Sequence, residues 1–211
     1  MRQIICITVA ALIGIIANIA QPGRPSFEEA FEEIYGMPRS EAVFHDRTTS
    51  KALLNGLNRM YRNGYDTLIV RCSNQAGLDW KLVTSLICQE TDFMTNDTDS
   101  SIHRGLMQLS AVTAEMYGVT DLSDPKQNIE AGTRYLRHLM DIFQEEGMDS
   151  TNSVKYALAA YNCGIGNVRK FRSQSDSSDS FNVLFRNPDG PTRRYVNSII
   201  YRYKRYNKLL Y

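Results

Sequence analysis

The sequence predicts a mainly α-helical domain, and three observations carry that prediction. Apolar residues recur at three- and four-residue spacing in several segments bounded by capping side chains and glycines. No run of alternating apolar and polar residues is long enough to build a sheet. Apolar residues make up 43% of the 211 and charged ones 22%, enough to close a core between helices.

The elements follow in order. Arg2 precedes an apolar run, Ile4 to Ala20, interrupted by Thr8 and Asn18 and stopped by Gln21-Pro22-Gly23. This is the layout of a secretory signal peptide. At about 17 residues it is also near the shortest run that spans a bilayer, so an uncleaved anchor is the alternative. Residues 1–20 are therefore expected to export or tether the chain to the cell envelope or periplasm. Residues 21–63 read as a short helical prelude and linker: Ser26 caps Phe27 to Tyr35, Gly36 and Pro38 break it, and Lys51 to Tyr61 forms a second helix.

Residues 64–211 carry the main domain. Tyr65 to Gln75 is a helix stopped near Gly77. Asp79 then caps a helix in which Val83, Leu86, Ile87 and Glu90 share one stripe. Ser110 starts a helix that Gly118 ends. Asp124-Pro125 joins a capping side chain to a proline whose missing N–H costs nothing at that position. Behind it Ile129, Leu136, Leu139, Met140 and Phe143 mark one face, and Gly147 stops the helix. Ser153 to Tyr161 is another helix, closed by Cys163-Gly164. Ser173 to Ser180 reads as a polar surface loop. Thr192 to Tyr206 is the last helix, with Tyr195, Ile199, Ile200, Tyr203 and Tyr206 on its apolar side.

Composition excludes some functions. The net charge of +1 gives no global field for nucleic acid. Basic residues crowd the C-terminus (Arg193, Arg194, Arg202, Lys204, Arg205, Lys208), read as a solvated helix face or as an attraction for an anionic polymer or membrane. Beyond the signal, Cys72, Cys88 and Cys163 are an odd number, so at least one thiol stays free. His45, His103 and His138 show no metal-ligand spacing, and no metal or cofactor is expected.

One residue stands out chemically. Glu90 lies on the stripe that faces the core, near the end of its helix. Burial and the C-terminal dipole both disfavour its charge and push its pKa up. A carboxyl kept protonated near neutral pH is what a general acid needs. Periodicity alone leaves open the plainer alternative, a solvated acid at a frayed helix end.

The motifs around Glu90 come in a definite order. Gln89-Glu90-Thr91 is followed by Gly105-Leu106-Met107-Gln108, Thr113-Ala114, Asn128-Ile129-Glu130-Ala131-Gly132-Thr133-Arg134-Tyr135-Leu136, Ala157-Leu158-Ala159-Ala160-Tyr161-Asn162 and Tyr195-Val196. In this order the chain resembles the catalytic domain of soluble-type lytic transglycosylases, from about Tyr65 to Tyr206. Arg104 and the run Gly118-Val119-Thr120-Asp121 look most like the membrane-bound F branch of that family.

The resemblance implies a goose-type-lysozyme-like helical fold with a catalytic cleft and peptidoglycan glycan strands as substrate. It implies Glu90 as the catalytic acid. Thr91 stands where the family usually has Ser, keeping the hydroxyl. Gly105, Leu106, Met107 and Gln108 form a turn lining the cleft, with Met107 packing on the sugar and Gln108 hydrogen-bonding to it. Tyr161 and Asn162 approach the acid and an N-acetyl group, and Glu130 is a structural or helix-start acid rather than a second catalytic carboxylate. The stretch Thr91 to Arg104 lacks the family's landmarks, so it carries no assigned contacts. The implied reaction cleaves the MurNAc-GlcNAc bond without water and leaves a 1,6-anhydro end. The rivals are lysozyme-type hydrolysis, for which Asp92, Asp97 or Asp99 would supply a second carboxylate, and a non-catalytic wall-binding or assembly module. A cell-envelope protein partner would dock on residues 21–63.

Overall fold

The computed structural model describes residues 47–94, 103–173 and 190–209. The expected signal or anchor, the first prelude helix, Asp97 and Asp99 lie outside them, as does the polar loop except for Ser173. The chain divides into two compact units, Met1–Leu68 and Ile69–Tyr211.

In the first unit, α1 spans Arg47–Arg62, starting four residues before the expected Lys51. Leu53, Leu54, Leu57 and Met60 are buried along it at helical spacing. The division falls within α2, Asp66–Gln75.

In the second unit, the chain leaves α2 through Gly77, whose φ of 63° suits a residue without Cβ. Asp79 then accepts a hydrogen bond from the Lys81 N–H at 2.9 Å and caps α3, Trp80–Glu90. The sequence suggests a one-sided stripe here. Every residue from Lys81 to Cys88 is in fact buried. A helix buried all round is a central one. Lys81 is accommodated by pairing with Asp79 at 3.6 Å.

Two short strands follow, β1 His103–Arg104 and β2 Leu109–Ser110, antiparallel, with Arg104 opposite Leu109. They are too short for alternation to reveal. Ser110 caps α4, Ala111–Met116, by accepting from the Thr113 N–H. Asp124 caps α5, Pro125–Glu145, with the proline in its first turn. The face predicted for α5 is the buried one: Ile129, Leu136, Leu139, Met140 and Phe143.

Asp149 caps α6, Ser150–Cys163, three residues earlier than the sequence suggests, by accepting from Thr151 and Asn152. Tyr156 to Ala160 are fully buried in succession. The short helix α7, Ile165–Ser173, was not expected, because Gly164 and Gly166 mask its start and only Val168 is buried. Finally α8, Pro191–Leu209, lies against both α3 and α6. It buries Tyr195, Val196, Ile199 and Tyr206 and leaves Arg194, Lys204 and Lys208 exposed. Packing pairs α5 with α6, and α6 with α7. Among the described residues, no helix is long and apolar enough to cross a membrane.

Candidate active site

Glu90 is the last residue of α3, half-buried at the edge of the core. Burial pushes its pKa up to about 7, and a hydrogen bond from the Tyr195 hydroxyl to its Oε1 acts in the opposite direction. Among the described residues, no other carboxylate shifts it. The negative charge of Glu90 in turn raises the pKa of both Tyr195 and Tyr161, beyond what their burial does. Tyr195 is supplied by α8, so the packing of α8 on α3 positions the acid. Two more tyrosines of α8 hold the same helix: Tyr203 donates to Asp79 at 3.0 Å, and Tyr206 lies 3.6 Å from the Cys88 sulfur.

Immediately after the acid the backbone bends hard. Asp92 and Phe93 have φ of 51° and 60°, a left-handed conformation that costs non-glycine residues. The bend is held because it seats Phe93 in the core. Thr91 ties the helix end to the facing turn: its hydroxyl donates to the Leu106 carbonyl at 3.0 Å.

That turn, Gly105 to Gln108, joins β1 to β2. The Gln108 N–H donates to the Gly105 carbonyl at 3.1 Å, and the Gln108 side-chain amide donates there too at 2.9 Å. Gly105 has φ of 75°, and an added Cβ would come within 2.1 Å of the Asn128 amide nitrogen and 2.4 Å of the Leu122 carbonyl. Asn128, fully buried at the start of α5, ties the turn to its surroundings with three bonds. Its oxygen accepts from the Met107 N–H at 2.8 Å, and its nitrogen donates to the carbonyls of Arg104 at 3.0 Å and Leu122 at 3.1 Å.

Met107 differs from expectation. Its side chain is fully buried, and Gly132 of α5 leaves room for it: a Cβ there would meet the Met107 sulfur at 2.5 Å. The Thr133 hydroxyl approaches the same sulfur at 3.9 Å. A side chain enclosed in this way cannot pack on a sugar. Leu106 is equally buried. What Met107 contributes is its carbonyl, which accepts from the Tyr161 hydroxyl at 2.8 Å.

The residues expected at the site therefore separate. Glu90, Thr91, the turn Gly105–Gln108 and Tyr161 are linked through the bonds described. Asn162 is exposed, and its side-chain oxygen accepts from Thr192 at 2.9 Å, joining α6 to α8. Glu130 is exposed and bears on the Cys72 thiol rather than on Glu90. Cys72, Cys88 and Cys163 are all free thiols. Among the described residues no cluster of metal-ligating side chains forms. Sequence reasoning missed the roles of Tyr195 and Asn128. Both stood inside recognised motifs, but only the tertiary bonds assign them work.

A family model described as the transglycosylase SLT domain matches residues 67–184. The chain is 41% identical over 102 residues to a membrane-bound lytic murein transglycosylase F of Desulfosudis oleivorans, covering 48% of this chain and 22% of that one. It is 36% identical over 133 residues to one of Yersinia pseudotuberculosis, covering 61% and 27%. The chain thus spans about a quarter of the length of these relatives. Among solved structures, an inactive mutant of the lytic transglycosylase Slt from Pseudomonas aeruginosa superposes with a TM-score of 0.55 at 26% identity, covering 69% of this chain and 24% of that one.

Proposed function

The chain belongs to the transglycosylase SLT domain family, and on that premise we propose that it is a lytic transglycosylase that cleaves the MurNAc-GlcNAc bond of peptidoglycan in the cell envelope. The observation that carries the proposal is the setting of Glu90. It is a half-buried carboxyl with a pKa of about 7, held by Tyr195 beside the Gly105–Gln108 turn.

Hydrolysing glycosidases place two carboxylates across the scissile bond. Here one group does both proton transfers. Protonated Glu90 gives its proton to the oxygen leaving the muramic C1, and that bond breaks. The substrate's own N-acetyl group supports the cation-like carbon. Ionised Glu90 then takes the proton of the muramic C6 hydroxyl, whose oxygen bonds to C1. The products are a free 4-hydroxyl end and a 1,6-anhydro end, and Glu90 is protonated again. A pKa near the working pH suits a group that must give and then take the same proton. Tyr195 donates to the carboxylate form and so supports the intermediate state.

The test is mass spectrometry of purified peptidoglycan digested by the protein, beside Glu90→Gln. Anhydromuramic ends made by the native protein and absent with the variant are the expected result. Reducing muramic ends would assign lysozyme-type hydrolysis instead, and binding without products would assign a wall-binding module.

A further inference from the structure

A line of aromatic rings starts at Tyr161, the tyrosine on which the Glu90 charge acts. Tyr161 packs on Tyr135 with ring centroids 5.2 Å apart, and Tyr135 on Tyr117 at 6.1 Å. All three are half-buried. At the outer end the Arg134 guanidinium lies over the Tyr117 ring, 5.1 Å from its centroid. Other arginines on α5 and α7 are held by carboxylates, Arg137 by Asp141 and both Arg169 and Arg172 by Glu146. Arg134 is exposed, and among the described residues its contact is a ring and not an acid. Stacking orients a guanidinium plane while leaving its N–H fork open, so a carboxylate can bind two of those donors with little further loss of side-chain freedom.

We propose that Arg134, held on Tyr117, binds a carboxylate of the stem peptide on a muramic residue lying in the cleft. The proposal rests on the peptidoglycan reading of Glu90 and specifies which part of that polymer the domain recognises. Stem peptides leave the glycan through the lactyl group, so their carboxylates lie several bonds to the side of the scissile linkage. A receptor for them has to stand off from the acid. Tyr117 lies two ring steps, at most about 11 Å, from Tyr161, the tyrosine on which the Glu90 charge acts. The separation also protects the chemistry. A cation beside Glu90 would lower its pKa, and Arg134 is not among the groups that shift it.

The experiment measures binding calorimetrically in the Glu90→Gln background, so that no strand is cut. The probes are soluble glycan strands with stem peptides intact and the same strands stripped by an amidase. Arg134→Gln should weaken binding of the peptide-bearing strands about fivefold, the scale of a partly exposed charge-assisted pair. Stripped strands should bind as before, which also shows that the variant is folded. Tyr117→Ala should act like Arg134→Gln, whereas Tyr117→Phe keeps the ring and should change little. Equal affinity of the Arg134→Gln protein for peptide-bearing strands, or equal weakening on both kinds of strand, overturns the proposal. If neither kind of strand binds and the native protein cuts neither, the peptidoglycan reading itself fails, and this proposal with it.

Discussion

At the scale of the residue, the chemistry depends on how one carboxyl is kept protonated. Its position on an apolar stripe at a helix end was legible in the sequence, and so was the upward direction of its pKa. Its hydrogen-bond partner was not, because Tyr195 lies 105 residues further along the chain and meets Glu90 only through helix packing. The rate should follow the proton. With a single group required protonated in the free protein, kcat/KM should be level at low pH and fall tenfold per pH unit above about 7. A bell with an acid limb near 4 would instead reveal a second, ionised carboxylate. Tyr195→Phe sharpens the point. The tyrosine bond lowers the pKa of Glu90 against the larger effect of burial, so removing it should move the alkaline limb to higher pH. The same variant should lower kcat, because the ionised form loses its donor. A pH–rate profile of the variant with an unmoved limb would remove Tyr195 from the site.

At the scale of the element, the turn between β1 and β2 shows why motifs and roles separate. Its residues were expected to line a cleft, and the Gly-Leu-Met-Gln run does form a turn facing the end of α3 through Thr91. Spacing cannot tell which side chains of a turn face inward, and here Leu106 and Met107 both do. Gly132 takes its meaning from that packing, as the place on α5 where Met107 fits. The strut is Asn128, which satisfies one N–H and two carbonyls of the surrounding loops. Asn128→Ala would leave the buried Met107 N–H without a partner and release both carbonyls. An unsatisfied buried donor costs about 1–3 kcal/mol by itself, so a loss of about 2–4 kcal/mol in denaturant-measured stability is expected. The loss of kcat/KM should be larger than that of Thr133→Ala, whose hydroxyl approaches the Met107 sulfur rather than the turn's backbone. Capping explains which helix limits could be read in advance. Asp79, Ser110 and Asp124 announce their helices through side chains that bond their own first turns. The helix α7 carries neither such a cap nor an apolar stripe, and only its neighbours make it a helix.

At the scale of the whole molecule, the same acid sets function against stability. The mainly helical architecture was foreseeable because it follows from local periodicity and caps. The central position of α3 was not, because burial on all sides is a property of the assembled fold. That central helix ends in a carboxyl whose pKa rises from 4.5 to about 7 on folding. Between those pH values the folded protein holds a proton that the unfolded chain has released. Stability from this group therefore falls as pH rises through that window, and stays low above it. At about 1.4 kcal/mol per pKa unit, and with some discount for partial exposure, the loss is on the order of 2–3 kcal/mol by pH 8. Glu90→Gln keeps an oxygen to accept from Tyr195 and has no charge to bury. The variant should unfold like the native protein at pH 4.5, where Glu90 is protonated when folded and about half so when unfolded. It should be more stable than the native protein by roughly 2–3 kcal/mol at pH 8. Urea melts of both proteins at the two pH values measure the difference directly. A gap that grows with pH shows that this fold holds its acid at a cost to its own stability, whereas equal stabilities at pH 8 would place Glu90 in solvent and remove the physical basis for its role as an acid.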